Sequence, residues 1–519
     1  MIKSRIYLFA GVALTALAGT ALPAAAQTAA LTPAATPQDP VAPSGSTAPS
    51  ASEDQNLPGD IIVTATKRAE NVQKVPISMS VVTGERLAEF QATDVKSIQN
   101  SVPNVFVEQT AGNDVIYIRG FGSPPSNFSF DQSVSLYMDG IYAGKLRQEQ
   151  APFFDVGRVE VLRGPQGALF GKNTAAGAIS IISAGPTDKM SAAITGLYNF
   201  DQKGYDINGY VSGPVSDTLG VRVAVRLQDQ DGWITNLYNG KKEPNNKMQM
   251  VRATFRWAPS AGFDDTLKVE YENVTRVGGL SVSSTLTAPQ DPKLVRYADR
   301  NPLGDEGLTN KSVLISNTAN IAIGDFTLTS ITGYSWYNGN VVNNFDQRTP
   351  TGAIVANSVY NSYPEWLSQY SQEVRLLSPR GKTLEFVVGA YYDNARYHLD
   401  QLGGFNIASL NYLGLLHTMF NQWSNTKSVF GQATLNASSR FRVIGSLRYS
   451  DTYKRGDFRG RLEYGPFAIR PVNTVAHQAF SEGNLDPSAT AQFDLAKDIM
   501  IYATYGRGSK SGGFVSNTY

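Results

Sequence analysis

Cysteine is missing from this 519-residue chain, and histidine occurs at only three positions. The lack of cysteine excludes disulfides, thiolate metal sites, cysteine nucleophiles and a lipid-anchored cysteine at the amino terminus. The three histidines, His398, His417 and His477, do not have the spacing of a metal-binding motif, and we expect each on the surface or in a loop. Disulfide-bonded scaffolds and thiolate chemistry are therefore excluded.

A surplus of charge of one sign is missing as well. The 45 lysine and arginine residues are balanced by 44 aspartate and glutamate residues, so the net charge is +1. A nucleic-acid-binding surface needs a basic patch or stripe, and we therefore expect no nucleic acid among the partners. Because no nucleophile, base and orienting group form a recognisable set, we predict neither an enzyme nor a cofactor.

A long apolar run occurs only at the amino terminus. Two basic residues precede the apolar run from Ile6 to Leu22, and residues 24–26 are all alanine. A basic start, an apolar stretch and small residues before the cleavage site predict a cleaved signal peptide over 1–26. A membrane anchor is the alternative, although the run is short for a spanning helix. Residues 27–59 are rich in Ala, Pro, Ser and Thr, which predicts a flexible tether.

From residue 190 onward, apolar and polar residues alternate. Val221, Val223 and Val225, for example, are separated by Arg222 and Ala224. A period of two residues predicts β-strands that have one apolar and one polar face. A soluble β-sandwich and a membrane barrel would both show this pattern.

The predicted loop lengths distinguish these two architectures. Short connections alternate with long ones: 258–265, 323–325, 378–382, 437–440 and 496–498 are short, whereas 277–311, 339–365, 397–425 and 453–487 are long. Outer-membrane barrels have short periplasmic turns and long extracellular loops. We expect the aromatic residues near strand ends in the interfacial girdles of such a barrel. These residues are Tyr334, Trp336, Tyr337, Tyr391 and Tyr392.

The region before residue 190 predicts a mixture of helices and strands. Thr83 is a candidate N-cap for a short helix over 83–90, and 92–99 is a second helical candidate. Further strands are expected at 115–119, 134–138, 159–162 and 178–183, the last two joined by a glycine-rich loop.

Residues 159–183 (VEVLRGPQGALFGKNTAAGAISIIS) resemble the end of the plug domain in TonB-dependent outer-membrane receptors. Other stretches match the same family in the same order: 60–68 (DIIVTATKR), 75–82 (VPISMSVV), 118–122 (IRGFG), 136–142 (LYMDGIY) and 505–514 (YGRGSKSGGF). The resemblance implies an α/β plug over 70–186 inside a transmembrane antiparallel β-barrel. The complete family has 22 strands, and we expect about thirteen in 190–519.

The same resemblance implies active uptake of a scarce, bulky solute across the outer membrane of a Gram-negative bacterium. A ferric siderophore or similar metal chelate is the expected ligand, and cobalamin, haem or an oligosaccharide are the alternatives. TonB, acting with ExbB and ExbD, would supply the energy, and outer-membrane lipid would surround the barrel. An adhesin or a secretion pore is the alternative from another functional class.

The resemblance also assigns candidate site residues. The expected TonB box, which would add as a strand to TonB, consists of Asp60, Ile61, Ile62, Val63, Thr64, Ala65 and Thr66, although an ordinary first strand of the plug is the alternative. The expected ligand-binding residues are Arg119, Phe121, Asn127, Phe128, Arg147 and Gln148. Arg119 could instead pair with a carboxylate of the barrel wall. Glu160 and Arg163 are expected to connect plug and barrel.

We further expect the chain to lack the last strands of its barrel. Thirteen is an odd number, whereas single-chain bacterial barrels have even numbers of strands. A ring of thirteen strands is about 26 Å across, which is too narrow for a plug about 34 Å in diameter. Twenty-two strands would leave roughly enough room.

Overall fold

The computed structural model describes residues 61–108, 115–123, 127–148, 153–236, 240–278, 295–296, 306–344, 358–407, 412–464, 474–496 and 499–516. The predicted signal peptide, the tether and Asp60 lie outside these residues.

The first part of the described chain forms a small α/β unit, the plug. Its strands and α-helices are β1 (Ile62–Val63), β2 (Glu70–Asn71), β3 (Met79–Thr83), α1 (Gly84–Glu89), β4 (Val105–Glu108), β5 (Val115–Ile118), β6 (Val134–Met138), β7 (Ile141–Ala143), β8 (Val156–Arg163), α2 (Gly167–Phe170) and β9 (Gly177–Ser183). Short 3₁₀ helices lie at Val72–Lys74, Val95–Asn100 and Leu146–Gln148.

A five-stranded sheet in the order β3-β8-β9-β6-β7 forms the centre of the plug. Strands β6 and β9 run parallel, whereas the other pairs are antiparallel. The side chains of Val159, Val161, Ile179 and Ile181 are fully buried in it. Burial of such branched apolar residues is the main stabilising term for a unit of this size.

Most local predictions for the plug are confirmed. Thr83 caps α1, and its Oγ1 accepts a hydrogen bond from the Arg86 amide over 3.4 Å. The second helical candidate is a 3₁₀ helix capped by Asp94, and α2 lies within the stretch predicted as a loop. Glycine is required in α2 because a Cβ on Gly167 would lie 2.8 Å from Asp486 Cγ on the surrounding sheet. Within the described part, no helix is long and apolar enough to cross a membrane.

The remaining strands surround the plug. They are β10 (Ser191–Asn199), β11 (Gly204–Ser216), β12 (Leu219–Gln230), β13 (Ile234–Asn236), β14 (Lys242–Glu243), β15 (Asn245–Ser260), β16 (Phe263–Val277), β17 (Val295–Arg296), β18 (Gly307–Ile323), β19 (Phe326–Asn344), β20 (Ser358–Ser362), β21 (Glu365–Leu377), β22 (Leu384–Ile407), β23 (Tyr412–Asn436), β24 (Phe441–Tyr464), β25 (Thr474–Ala496) and β26 (Ile499–Gly506).

Fourteen of these strands form one antiparallel sheet, and β13, β14 and β17 form a separate small one. Strands β20 and β21 both lie between β19 and β22, so they occupy one position. The sheet therefore has thirteen strand positions, as predicted. Among the described residues, the edge strands of this sheet are β10 and β26.

The two faces of this sheet differ in polarity. On β24, Leu447 and Tyr449 are each 49% exposed on the outer face, whereas Arg448 and Ser450 between them are buried on the inner face. An apolar outer face and a polar interior are the reverse of a soluble fold and are typical of a transmembrane barrel. The prediction of a barrel-type sheet with an α/β plug is confirmed.

Two predicted long loops are wrong in their extent. Strand β22 continues to Ile407 and β23 begins at Tyr412, so most of 397–425 is strand. Similarly, β24 and β25 occupy most of 453–487. Their outward positions mix polar residues such as Asp400 and Asp457 with apolar ones such as Val475, so the regular apolar alternation ends while the backbone ladder continues.

The predicted aromatic girdle is correct only in part. Tyr334 is 39% exposed on the outer face, whereas Tyr337 is fully buried on the inner face. The reason is that an odd separation along a strand places two residues on opposite faces. Tyr391 is likewise an inner residue, beside Arg448.

Candidate functional site

Buried ion pairs join the plug to the inner face of the sheet. With the sheet residue first, they are Arg222–Asp155, Lys268–Asp139, Glu365–Arg147, Glu373–Lys67, Asp393–Lys172 and Lys454–Asp131. The sheet provides cations on β12, β16 and β24 but carboxylates on β21 and β22. Because the signs differ along the sheet, a rotated plug would bring some like charges together, which favours the observed orientation.

The candidate TonB box folds back onto the plug. Ile62 and Val63 pair with Asn71 and Glu70 in an antiparallel hairpin. Val63 and Ala65 are fully buried. The predicted segment is thus a strand, but its backbone is partly occupied, and strand addition to a partner would require its release.

Glu160 holds this segment on the plug. Its Oε1 accepts hydrogen bonds from the Thr64 amide over 3.0 Å and from Arg158 Nε over 2.7 Å. The Glu160 side chain is fully buried, and such charge-assisted bonds are stronger than neutral ones.

The residues that follow the box are attached to the sheet instead. Lys67 Nζ lies 3.4 Å from Glu373 Oε2, and Arg68 donates to the carbonyl oxygens of Ser378 and Phe386 over 2.8 and 2.6 Å. Ser378 begins the short connection between β21 and β22, so this is the short-turn end of the sheet. Burial lowers the pKa of Lys67, and Glu373 opposes this effect.

Removal of the Glu160 carboxylate is expected to free the box. Since the chain has no cysteine, Ala65→Cys provides a single thiol at a fully buried position. Loss of a charge-assisted hydrogen bond costs roughly 1.5–3 kcal/mol, so Glu160→Ala should increase the maleimide labelling rate about ten- to hundredfold. Glu89→Ala, which makes the same change on exposed α1, is the control. Equal rates in both variants would show that Glu160 does not hold the box.

The opposite end of the plug is organised around Asp131. Its Oδ2 accepts hydrogen bonds from Lys454 Nζ over 2.7 Å and from Asn173 Nδ2 over 3.0 Å. Burial alone would raise the pKa of Asp131, but Lys454, Lys145 and Lys172 together hold it well below its ordinary value. The carboxylate is thus ionised among several cations, which leaves this end of the plug positively charged.

Lys145 lies among carbonyl oxygens and an aromatic ring. Its Nζ donates to the carbonyl oxygens of Phe128 and Phe130 and lies 4.8 Å from the centre of the Tyr397 ring. Burial lowers the pKa of Lys145 to about 8, although Asp131 opposes this effect. The wall beside it is rich in aromatic residues: Tyr337, Tyr363, Tyr397, Phe420, Phe458 and Phe514 form one buried cluster.

The structure brings four of the predicted ligand residues together at this end. Asn127 Nδ2 donates to the Phe514 carbonyl over 3.2 Å, and the Phe128 ring lies 4.6 Å from that of Tyr363. Arg147 pairs with Glu365 over 2.7 Å, and Gln148 donates to Ser335. Asn127, Arg147 and Gln148 are buried. The hydrogen bonds and the ion pair given above already engage all three side chains.

The other two predicted ligand residues, Arg119 and Phe121, lie elsewhere on the plug. Both are exposed, Phe121 by 72%. Arg119 donates to Ser78 Oγ over 2.9 Å and lines a cleft of about 420 Å³ together with Phe106 and Tyr117. Among the residues that the structure describes, Arg119 makes no salt bridge. The alternative role, pairing with a carboxylate of the barrel wall, therefore finds no support in the described contacts.

The described contacts of Glu160 and Arg163 lie within the plug, and their predicted contact with the barrel stays a prediction. Glu160 bonds to Thr64 and Arg158, and Arg163 donates to Ser80 Oγ over 2.6 Å, so all these bonds lie within the plug. Burial lowers the pKa of Arg163, and the positive charge of Arg119 lowers it further. Among the described residues, the ion pairs given above join the plug to the sheet.

Sequence reasoning missed the contributions of Asp131, Lys145 and Lys454. Asp131 and Lys454 are 323 positions apart, and no local pattern joins them. One available signal was the position of Lys454 on the inner face of an alternating strand, where a cation needs a partner.

The described contacts at the two ends of the plug are hydrogen bonds, ion pairs and ring contacts. No group of three or more metal-ligating side chains occurs within the described ranges. The plug provides a releasable segment at one end and a cationic, aromatic-walled region at the other.

Comparison with known proteins agrees with this architecture. The family model for the TonB-dependent receptor plug domain matches residues 71–178, and that for the TonB-dependent receptor-like β-barrel matches 194–519. The pesticin receptor of Yersinia enterocolitica is 24% identical over 470 residues, which are 87% of this chain and 63% of the relative. The ferrichrome outer membrane transporter/phage receptor of Escherichia coli is 28% identical over 232 residues, which are 41% of this chain and 28% of the relative.

Solved structures show the same fold. The ferric yersiniabactin uptake receptor of Yersinia pestis superposes with a TM-score of 0.68 at 20% identity, covering 85% of this chain and 67% of that one. The ferric-catecholate import receptor of Escherichia coli gives 0.66 at 15% identity, with coverages of 85% and 71%. The chain spans about 63% of the length of the pesticin receptor, the curated relative described above. Because the two family models together cover most of its residues, the chain belongs to the TonB-dependent receptors, a family of outer-membrane transporters and receptors rather than enzymes.

Proposed function

We propose that this protein takes up a ferric siderophore or a similar metal chelate across the outer membrane, with energy that TonB, ExbB and ExbD supply. The proposal rests on the difference between the two ends of the plug. A segment that matches the TonB box is hydrogen-bonded to Glu160 at the short-turn end, and cations and aromatic rings lie at the opposite end. Short turns are periplasmic in outer-membrane barrels, so the box faces the compartment that contains TonB.

Ligand binding at one end and pulling at the other would be coupled through the plug. Once released from Glu70 and Asn71, the edge of Ile62 and Val63 offers main-chain groups to a TonB strand. The pairs that hold Lys67 and Arg68 on the sheet are the next contacts that a pull would break. The ion pairs between plug and wall can be exchanged for water as the plug moves, whereas apolar contacts such as that of Phe154 with Met248 and Met250 would have to separate.

The cationic end suits a chelate that carries negatively charged oxygens. Guanidinium and ammonium groups bind carboxylate, hydroxamate and catecholate oxygens, and aromatic side chains provide apolar contact area. Among the pairs at this end, Lys145 with its Tyr397 ring and Arg147 with its Phe128 ring combine both features.

Binding of ferric chelates to the purified protein tests the ligand class. We expect fluorescence quenching to be saturable with a ferric catecholate, hydroxamate or carboxylate chelate, and to be weak with the iron-free compounds. If haem, cobalamin or an oligosaccharide binds tightly and no ferric chelate does, the proposed substrate class is wrong.

Arg119 lies apart from the Lys145 region, and we propose that it contacts the ligand from the cleft that it lines with Phe106 and Tyr117. Arg119→Ala is expected to lower chelate affinity about tenfold, since a hydrogen bond to a charged group contributes roughly 1.5–3 kcal/mol. The side chain is exposed, so the fold should persist. Arg86→Ala, at another exposed arginine of the plug, is the control, and unchanged affinity in both variants would leave Arg119 a structural role only.

The mature protein is proposed to begin at Gln27. Cleavage after the three alanines at 24–26 would remove the signal peptide and leave the tether free in the periplasm. Amino-terminal sequencing of outer-membrane material should therefore return Gln27. Recovery of Met1 would instead support a retained anchor.

A further inference from the structure

Arg448 is a buried cation on the inner face of β24, between the two ends of the plug. Its side chain is only 2% exposed, and it forms no salt bridge with any residue that the structure describes. The Nε atom donates to Ser450 Oγ over 3.3 Å, whereas Nη1 is buried without a hydrogen-bond partner in the described part of the chain. Buried arginines are normally paired, because an unpaired buried charge is costly. Packing alone therefore does not explain Arg448.

The carboxylate directly across from Arg448 is turned away from it. Asp486 is the register partner of Arg448 on β25. Its Oδ2 accepts a hydrogen bond from Ser509 Oγ over 2.8 Å, and its Oδ1 is buried without a partner among the described residues. Two opposite charges thus lie on neighbouring strands without forming a pair, which leaves the Arg448 fork available to another anion.

Helix α2 of the plug covers both of these charges. A Cβ on Gly167, at the start of α2, would lie 2.8 Å from Asp486 Cγ, and a Cβ on Gly171, just after its end, would lie 2.8 Å from Arg448 Cζ. Gly171 has a φ of +91°, which residues with a side chain rarely adopt. The plug backbone therefore lies directly against the guanidinium, and displacement of α2 would uncover it.

Two aromatic rings frame the guanidinium of Arg448. Its Cζ lies 5.3 Å from the centre of the Tyr391 ring and 5.0 Å from that of Phe430. Lys145 and Tyr397 form the same combination of a cation and a ring at the ligand end. Tyr397 and Tyr391 share the inner face of β22 and are six positions, or about 20 Å, apart. The wall thus repeats the chemistry of the ligand end deeper inside.

A third such combination follows at the short-turn end. Lys67 Nζ lies 4.9 Å from the centre of the Phe170 ring. Lys67 also lines a cleft of about 380 Å³ together with Arg68, Arg375 and Arg380. Cations beside aromatic rings therefore occur at three levels of one side of the plug, from the ligand end through Arg448 to the end that carries the box.

Inward cations on a distant part of the sheet have carboxylate partners instead. Arg222 pairs with Asp155, Lys268 with Asp139, and Arg252 with Glu270. Arg448 differs from these three because its guanidinium faces two rings and a plug loop rather than a carboxylate.

We propose that Arg448, Tyr391 and Phe430 form a transit site, which binds the anionic oxygens of the chelate after α2 has moved away. The guanidinium fork binds carboxylate, hydroxamate or catecholate oxygens, and the two rings provide apolar contact area. The chelate would pass from the Lys145 end along β22 and β24 to the cleft beside Lys67. This inference rests on the proposed function and specifies the route that the ligand takes.

A single thiol beside Arg448 tests the route. The chain has no cysteine, and Ser450→Cys and Thr254→Cys place thiols at positions that are each 1% exposed, on β24 and on the distant β15. Cells that contain TonB are given a ferric catecholate together with an anionic, sulfonate-bearing methanethiosulfonate reagent. Labelling should be about tenfold faster in the Ser450→Cys variant, since an unpaired unit charge about 10 Å away attracts the reagent by roughly that factor.

Equal labelling of the two variants, or faster labelling of Thr254→Cys, would overturn the proposal. Uptake of the catecholate is measured in the same cells. Uptake without labelling of the Ser450→Cys variant would overturn the transit site alone, whereas absence of both surface binding and uptake would refute the proposed function and this inference with it.

Substitution of Arg448 tests the role of its charge. Arg448→Gln should slow uptake of the ferric catecholate about tenfold, because a charge-assisted hydrogen bond contributes a factor of roughly ten or more. Surface binding of the catecholate should stay unchanged, which also shows that the variant is folded. Arg448→Lys keeps the charge and should retain most of the uptake.

Arg226→Gln is the matched control, since Arg226 is an inward, buried arginine on β12 that pairs with Asp206. Its uptake should equal that of the parent. Normal uptake by Arg448→Gln would overturn the proposal, and so would an equal loss in Arg448→Gln and Arg448→Lys, which would show that Arg448 acts through packing rather than charge.

Discussion

Ile62→Pro is expected to reduce uptake to the level of cells that lack TonB, while ligand binding stays normal. Proline has no amide hydrogen and a fixed φ, so it removes a donor from the strand that would pair with TonB. Ile62 lies in the hairpin with Asn71 at the short-turn end, away from the cationic end of the plug. Uptake of radioactive iron chelate into cells and chelate binding to the same cells measure the two quantities.

A proline in the preceding tether is the matched control for this variant. Ser52→Pro introduces the same residue at a position before the predicted box, and its uptake should equal that of the parent. Normal uptake by the Ile62→Pro variant would show that the segment is an ordinary plug strand rather than the TonB box.

Arg147→Met is expected to lower the free energy of unfolding of the plug by about 3–5 kcal/mol, because it leaves the Glu365 carboxylate buried without its cation. The two side chains are only 9% and 3% exposed, and their atoms lie 2.7 Å apart. Tyr397 also donates to Glu365 over 2.6 Å, but a neutral hydroxyl cannot replace the lost charge. Hydrogen exchange of strands β6, β8 and β9 reports this energy.

Two further variants identify the cause of this loss. The double variant Arg147→Met with Glu365→Met should recover most of the stability, since it removes both charges together. Arg256→Met breaks the exposed pair with Asp264 and should cost at most about 1 kcal/mol. A small effect of Arg147→Met would mean that water already solvates Glu365.

The sheet was predictable because its signal is local. The alternation of Val221, Val223 and Val225 with residues of the opposite face predicts an apolar outer face for that strand, and the expected number of about thirteen strands agrees with the thirteen strand positions. The long loops were overestimated because β22 to β25 continue through stretches whose outward positions are mixed, where backbone hydrogen bonds rather than a regular apolar alternation define the strand.

The site was less predictable because its contacts are distant in sequence. Family motifs indicated the ends of the plug, and Asn127, Phe128, Arg147 and Gln148 do meet at one end. Their partners lie 187 to 387 positions later in the chain, and a single sequence gives no indication of such pairs. No sequence pattern indicated that the box folds back onto the plug, since Glu160, which holds it there, is 96 positions from Thr64.

The most direct test of the account compares accumulation of a bound ferric chelate in cells with and without TonB. Both strains should bind the chelate at the surface, but only the strain with TonB should accumulate iron inside, and collapse of the proton gradient should stop this accumulation. Equal accumulation in the two strains would contradict the central claim, because the protein would then be a passive pore.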